Sequence, residues 1–452
     1  MLAPVFWIAA GLAGLTAAAA IFVARDLVYD GAYYLLGIAA HGTFQLFEPA
    51  RLVPQLLQQG FAVAGTRIGI HDLWTLGVLF SLGTSGWPVI LTALCWLVLP
   101  RGQKSWIAGP LLNLVLAIPA TSFIGIGEGI IASCLLWLAF LLIEFRSRST
   151  VGALASIAAA AACAFSHEAA ILGLLVIALA AALQVRDAKG FCRAALFLAA
   201  AIALAGAGHM ARWILFPRSA IERGDFLASM LGGFLGSPQA PNIPAVLSAV
   251  AVAGCIAAFV AGARRGRAAV IAAIVIFAVL LTVLAADPAQ MIAPSRFFAA
   301  RGLPVALTTL LMGLFLLLRR RGLTPARFAT PPVLAVVLAV AVVQTAAQAV
   351  LTVEWSSYVG ALRALVSTHT GGMTHGAAAK LLDPGGGRFR RELLESWSVE
   401  PLAILLAPGG HVYTFVEAAP KARWVPYDPR NPATLPRAPG LDWSSFVPHP
   451  AQ

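Results

Sequence analysis

The sequence predicts an all-α polytopic membrane protein, and three observations carry that prediction. Hydrophobic residues make up 60% of the 452 and charged residues only 11%, a balance outside the range of water-soluble domains. Apolar runs approaching the thickness of a bilayer recur along the chain, and the mean hydropathy is +0.85. The charges are also sorted, with Lys and Arg crowded into every second connection between those runs.

Taken in order, the apolar runs lie at 3–23, 73–99, 106–121, 129–145, 151–165, 169–184, 194–211, 243–262, 268–286, 299–318 and 331–351, which predicts about eleven transmembrane helices. Several are at the short end for a span, so their ends are expected to reach into flanking residues. Fourteen cations fall in alternate connections, from Arg101 and Lys104 to Arg319, Arg320, Arg321 and Arg327, with only Glu144 and Asp187 beside them. That side is cytoplasmic by the positive-inside rule, which places the N-terminus inside and the last hundred residues outside. The pI of about 10.2 therefore reads as topology, and no nucleic-acid partner is expected. The first run lacks a basic leader and is long for a cleaved signal, so it is read as a retained span. None of the five cysteines falls where an outside disulfide would form, and no metal-type spacing occurs.

The first outside loop, 25–72, is the most polar interval in the first half of the chain. It opens with Arg25, Asp26, Tyr29, Asp30, Gly31, Tyr33 and Tyr34. Asp30 falls where a helix over Gly31 to His41 would begin, and its side chain is placed to cap that helix. After a turn around Gly42 to Glu48, polar Arg51, Gln55, Gln58 and Gln59 alternate at helical spacing with apolar Leu52, Val53, Leu56 and Leu57. That pattern predicts an amphipathic helix lying flat on the bilayer, with Pro54 kinking it or marking its start.

The run 73–99 is interrupted by Gly83, Ser85, Gly86 and Pro88, which predicts a short helix from Asp72 to Leu82, a break, then the crossing. The next outside turns, Ser122 to Gly129 with Glu128 and then Ser166, His167 and Glu168, are short enough to be hairpin tips. Longer outside loops follow at 209–243, with Arg212 and Trp213, and at 287–301, with Arg296, Phe297 and Arg301. A transmembrane domain is expected over 1–351. Residues 352–452, rich in Pro, Gly, Trp and Tyr, are expected to form a small outside lid or domain in which Gly385 to Gly387 make a turn.

Seventeen of the nineteen acids face one compartment, and the spans hold almost no ionisable group. A coupled carrier places such groups near the midplane, so the distribution favours an enzyme working at the outer surface. A first span followed at once by an Asp-led helix, here Asp30, Gly31, Ala32, Tyr33, Tyr34 and Ala39, and then by a second flat helix, resembles the glycosyltransferase C superfamily. The likeness extends to a lone acid after a later span, Glu128, and to an Arg-aromatic pair before a late span, Arg296 and Phe297. It covers the layout of residues 1 to about 320. Members often carry a second acid directly after the Asp. Here that position is Gly31, with Asp26 as the substitute.

The resemblance implies an inverting membrane glycosyltransferase that moves a hexosyl or pentosyl group from a polyprenyl-phosphate sugar to a lipid, glycan or protein acceptor. It places the reaction on the periplasmic face of a bacterial inner membrane, in keeping with the abundance of Ala and of Arg over Lys. It names no certain cofactor and leaves a divalent metal open.

Sugar transfer needs a carboxylate to accept the acceptor's proton, and Asp30 is the choice by position, with Asp26 and Glu128 as the other candidate catalytic residues. The departing phosphate calls for a guanidinium fork, which assigns Arg296 first and then Arg212 and Arg301. Tyr33, Tyr34, His167, Glu168 and Trp213 are candidates to contact substrate. Each has a plainer role: a cap for Asp30, a pair with Arg25 for Asp26, a solvated tip for Glu128, His167 and Glu168, and a snorkelling cation for Arg296. The rival functions are a flippase or transporter for a lipid-linked glycan, an O-antigen-ligase or polymerase-like enzyme using His209 and Arg212 to Arg223, and an interaction protein whose tail is the working part.

Overall fold

The computed structural model describes residues 2–118, 127–216, 236–237, 240–241, 294–328, 331–389, 391–394, 396–417, 436–444 and 446. It is mostly helical, with six helices among the described residues long and apolar enough to cross a membrane: Pro4–Phe22, Leu73–Val98, Glu128–Phe145, Glu168–Val185, Gly190–Leu215 and Val337–Thr368. These match six of the expected runs. A shorter apolar helix, Thr150–Ala164, matches a seventh. The runs at 243–262 and 268–286 lie outside the described residues.

Contacts divide the chain into two compact units. The first holds Met1–Thr16, Glu48–Pro54 and Pro88–Ala347, the second Ala17–Phe47, Gln55–Trp87 and Gln348–Gln452.

The first unit is built around α7 (Glu128–Phe145), counted after α1 (Leu2–Phe22), α2 (Asp30–His41), α3 (Leu52–Arg67), α4 (Leu73–Ser81), α5 (Trp87–Val98) and α6 (Ala108–Leu112). Helix α7 is apolar on all sides and almost wholly buried, as a helix without a polar face must be inside a bundle. Around it pack α8 (Thr150–Ala164), α9 (Ile171–Val185) and α11 (Pro294–Arg320), while α10 (Gly190–Leu215) lies against α8 and α9. Trp137, Phe140, Phe315 and Trp106 interlock edge to face at its centre, with ring centroids 5.3–6.0 Å apart. Gly109 leaves room for this cluster, since a Cβ there would sit 2.2 Å from the Trp137 ring. Asn113 adds a polar tie through Nδ2 to Ser133 Oγ at 2.9 Å, the kind of inter-helix bond that small polar residues make among spans.

The loops that the charge pattern assigned to one side are brought together in this unit. Arg319 Nε and Arg320 Nη2 donate to the Glu144 carboxylate at 2.6 and 2.9 Å, Gln184 Nε2 adds a third bond at 2.9 Å, and Arg148 pairs with Asp187 at 3.1 Å.

In the second unit, α2 packs on α4 and on α14 (Ser396–Leu405), which follows α13 (His375–Leu382) and the part of α12 (Pro331–Thr368) from Gln348 on. Helix α12 opens on two prolines, where missing backbone donors cost nothing, and runs 38 residues without a break at the composition change near 351. Two short strands, β1 (Gly371–Thr374) and β2 (Thr414–Glu417), pair in parallel, the connection between them containing α13 and α14. The Gly385 to Gly387 segment is a turn, with Gly386 and Gly387 at φ 69° and 96° and Asp383 accepting the Gly387 N–H at 2.9 Å.

Two expectations are corrected. The break expected after Leu82 is a π-helical turn, Leu82–Gly86, through which α4 and α5 continue as one 26-residue helix. One extra residue is absorbed in a wider turn, and Gly83 lies so close to α3 that a Cβ would stand 1.9 Å from Gln58 O. Helix α3 is also inverted: Gln55, Gln58 and Gln59 are buried, while Leu52, Val53, Leu56 and Leu57 are only partly covered. Its polar face serves the protein interior, where Gln59 bonds the backbone of Gln45 twice, at 2.7 and 2.9 Å. Pro54 falls within its first turn and so marks its start.

The Glu144 knot yields a prediction. Glu144→Leu leaves two guanidinium groups without their shared carboxylate and is expected to destabilise the protein by roughly 3 kcal/mol. Thermal unfolding in detergent, read by tryptophan fluorescence, measures it; an unchanged midpoint removes the knot from the account of stability.

Candidate functional site

The acid-bearing turn after the first span belongs to the second unit. Its backbone turns through Ala24 at φ 49°, ψ 42° and Tyr29 at φ 57°, ψ −127°. These are the only non-glycine residues with positive φ among those described. Such conformations are costly for residues with a Cβ and persist where surrounding structure imposes them.

Between them Arg25–Leu27 form one 3₁₀ turn, and α2 begins at Asp30 itself. Asp30 is therefore not the cap that the sequence suggested. Tyr29 occupies the cap position and makes no side-chain cap bond, and the Asp30 carboxylate belongs to the first turn, where the helix dipole favours its charge. Tyr33 and Tyr34 follow at three and four residues and share its side of the helix. Burial, and then the charge of Asp30, push the Tyr33 phenol above its ordinary pKa. Tyr33 and Tyr34 both meet Phe47, at ring distances of 5.3 and 5.4 Å, forming an aromatic wall. Behind it Tyr34 also stacks on Phe80 and accepts from Gln55 Nε2 at 3.4 Å.

Asp26 is held from the π-helical turn and the residue just before it. Ser85 Oγ donates to Asp26 Oδ2 at 2.7 Å and Ser81 Oγ accepts the Asp26 N–H at 3.3 Å. The residue keeps some exposed area, but burial around the carboxyl group dominates and raises its pKa, against the charge of Arg25 and the two serine bonds. Arg25, 3% exposed, donates from Nη1 to Thr352 Oγ1 at 2.9 Å, and burial lowers its pKa against the charge of Asp26. Gly31, where the resembled family often has an acid, is packed against this turn: a Cβ would lie 1.8 Å from Asp26 O. A second acid has no room there.

A second polar cluster lies in the first unit. Arg51 ends the 3₁₀ turn Pro49–Arg51 that leads into α3. Its Nε bonds both oxygens of Glu168, at 3.1 and 2.9 Å, and its Nη1 bonds Glu128 Oε2 at 3.0 Å. Burial works against the guanidinium's charge, but Glu168 and Glu128 outweigh it and hold its pKa well above the usual value. Glu128 is not a solvated hairpin tip. It is the first residue of α7, 1% exposed, reached through Gly127 at φ 34°.

His167 is buried at the start of the Glu168–Ala170 turn, and its Nδ1 accepts the Ala169 N–H at 3.1 Å. The same nitrogen lies 3.5 Å from Glu168 Oε2.

Beside this cluster, Phe165 O accepts the Val53 N–H at 3.0 Å, and α10 packs on both the Pro49–Arg51 and Glu168–Ala170 turns. Gly206 lets α10 come close to the end of α8, since a Cβ would lie 2.6 Å from that of Ala164. One turn on, His209 meets Phe165 at 5.5 Å and accepts from Trp213 Nε1 at 3.1 Å. Arg212 is exposed on the same turn of helix. Arg296 and Arg301 belong to the opening turns of α11, and their side chains lie outside the described residues.

Arg51, Ser81, Ser85, Phe165 and His209 were not singled out as site residues from the sequence reading of the outer surface, apart from His209 in the ligase rival. A lone Arg in a glutamine-lined helix start was the available signal for the first of them. Among the described residues, no cluster of His, Cys, Asp and Glu is suited to hold a metal ion. Comparison with protein-family models, curated proteins and solved structures finds no match for this chain.

The packing at Gly31 makes a prediction. Gly31→Ala forces the acid-bearing turn open, and a loss of roughly 1–3 kcal/mol is expected, the usual cost of overpacking. The readout is the unfolding midpoint in detergent, and a variant as stable as the parent refutes the close approach.

Proposed function

We propose that the chain is a membrane glycosyltransferase that moves a sugar from a polyprenyl-phosphate donor to an acceptor hydroxyl at the outer face. The observation that carries this reading is the strained turn at Ala24 and Tyr29, which places Asp30 in the first turn of α2, with Asp26 in the turn just before it and the Tyr33 and Tyr34 rings on the same helix. Backbone strain of this kind gathers at working sites, because folding alone gives no reason to keep it.

In this reading the acceptor oxygen attacks the anomeric carbon and its proton passes to Asp30. The bond from that carbon to the phosphate oxygen breaks, and the electron pair leaves with the polyprenyl phosphate. A single displacement inverts the anomeric centre. Asp26 sets the local field and the position of the turn, and the tyrosines line the space for the ring. The finer topology belongs to the same proposal: eleven crossings, N-terminus cytoplasmic, C-terminus periplasmic, in a bacterial inner membrane.

Asp30→Asn keeps the shape of the turn and removes the proton acceptor. Sugar transfer by purified protein is expected to fall by about 10²–10⁴-fold with the unfolding midpoint preserved. Full activity would leave the reading without its base.

Asp26 gives a second test through pH. Its folded pKa is raised, so the unfolded chain loses this proton first, and stability falls as pH rises from the ordinary carboxylate range through the folded pKa. Asp26→Asn is expected to unfold at a higher temperature than the parent at pH 7, with the difference closing at low pH, while activity drops. A constant difference across pH would show that the Asp26 carboxyl carries no such cost.

A further inference from the structure

We infer that the rings of Phe165, His209 and Trp213 together with the Arg51 fork bind the ring of a neutral, hydroxylated sugar. The inference rests on the glycosyltransferase reading and deepens it by naming the ligand class for a cluster within the first unit.

The arrangement has two parts at the two ends of one turn. Phe165, 41% exposed, opens the turn, and Glu168 closes it against Arg51. On the first side the three rings form a chain, Phe165 to His209 at 5.5 Å and His209 to Trp213 at 6.1 Å, the latter near perpendicular at 80°. The bond from Trp213 Nε1 to His209 Nε2 fixes the indole's orientation and places the imidazole proton on Nδ1. A partly exposed, orientationally fixed set of rings is a surface on which the C–H face of a saturated ring can lie.

On the second side the charge of Arg51 is already matched by two carboxylates, while Nη2 meets no acceptor among the described residues and the side chain keeps 20% of its area exposed. What this fork offers is the Nη2 donor beside the partly exposed Glu168 carboxylate, a donor and acceptor pair that suits hydroxyl groups, which donate and accept. It does not suit an anion. A phosphate or uronate approaching Nη2 meets Glu128 and Glu168 at hydrogen-bond distance from the same guanidinium, and like charges repel. The same chemistry fits the sugar of the lipid-linked donor or that of the acceptor.

The test uses the full chain in lipid nanodiscs and saturation-transfer NMR with methyl hexopyranosides. Ring protons of the neutral glycosides are expected to receive saturation. Trp213→Ala is expected to weaken binding roughly tenfold, and Trp213→Phe, which keeps a ring face, much less. Methyl glucuronide and inorganic phosphate are expected to bind more weakly than the neutral glycosides. Competition with a short-chain polyprenyl-phosphate sugar then assigns the ring: displacement identifies the donor's sugar, and persistence the acceptor's, either result upholding the inference. Absence of saturation transfer, indifference to Trp213→Ala, or a preference for the anionic ligands overturns it. Because binding is read without turnover, a failure of transfer with binding intact would strike the enzymatic reading and leave this site standing.

Discussion

Charge drawn below the surface of an apolar bundle must be matched where it sits, and the described structure answers to that constraint at three polar clusters. Glu144 is met by Arg319 and Arg320, Glu128 and Glu168 by Arg51, and Asp26 by Arg25 and two serines. With few charges available, each match ties together segments far apart in sequence: Arg51 joins the start of α3 to residues 77 and 117 positions on, and Arg319 reaches back 175. Apolar packing makes the bundle, but the long-range pairs select which helix ends meet.

Much of the fold was legible because its determinants are one-dimensional. Length and hydropathy mark spans, and the sorting of Lys and Arg foretold that the Glu144, Arg319 and Arg320 ends would share a side. The inverted α3 was not legible for a physical reason. A helix with one polar and one apolar face looks the same whether its polar side meets water or buried backbone, and only the partner, here Gln45 for Gln59, decides. The π-helical turn was half legible: Gly83, Ser85 and Gly86 announced an irregularity, but glycine and serine mark a break and a widened turn alike.

The candidate site divides in the same way. Position after the first span singled out Asp30 and Asp26, and the structure starts the helix at Asp30 itself, with Tyr29 in the cap position. Glu128 was visible only as an isolated acid, because its partner Arg51 lies in a different stretch of chain. The ring chain of Phe165, His209 and Trp213 depends on how closely α10 approaches α8, which is set by Gly206 against Ala164 and leaves no trace in local composition.

The widened turn at Leu82–Gly86 has one more effect. A π turn carries an extra residue, so the helix beyond it is rotated by about 100° from where a uniform spiral would have left it. The first half of that helix, with Ser81 and Ser85 directed at Asp26, and the second half, with buried Thr92 and Cys95, therefore keep separate azimuths. Each half is free to drift in sequence against its own neighbours, since the phase slip between them uncouples one set of facings from the other.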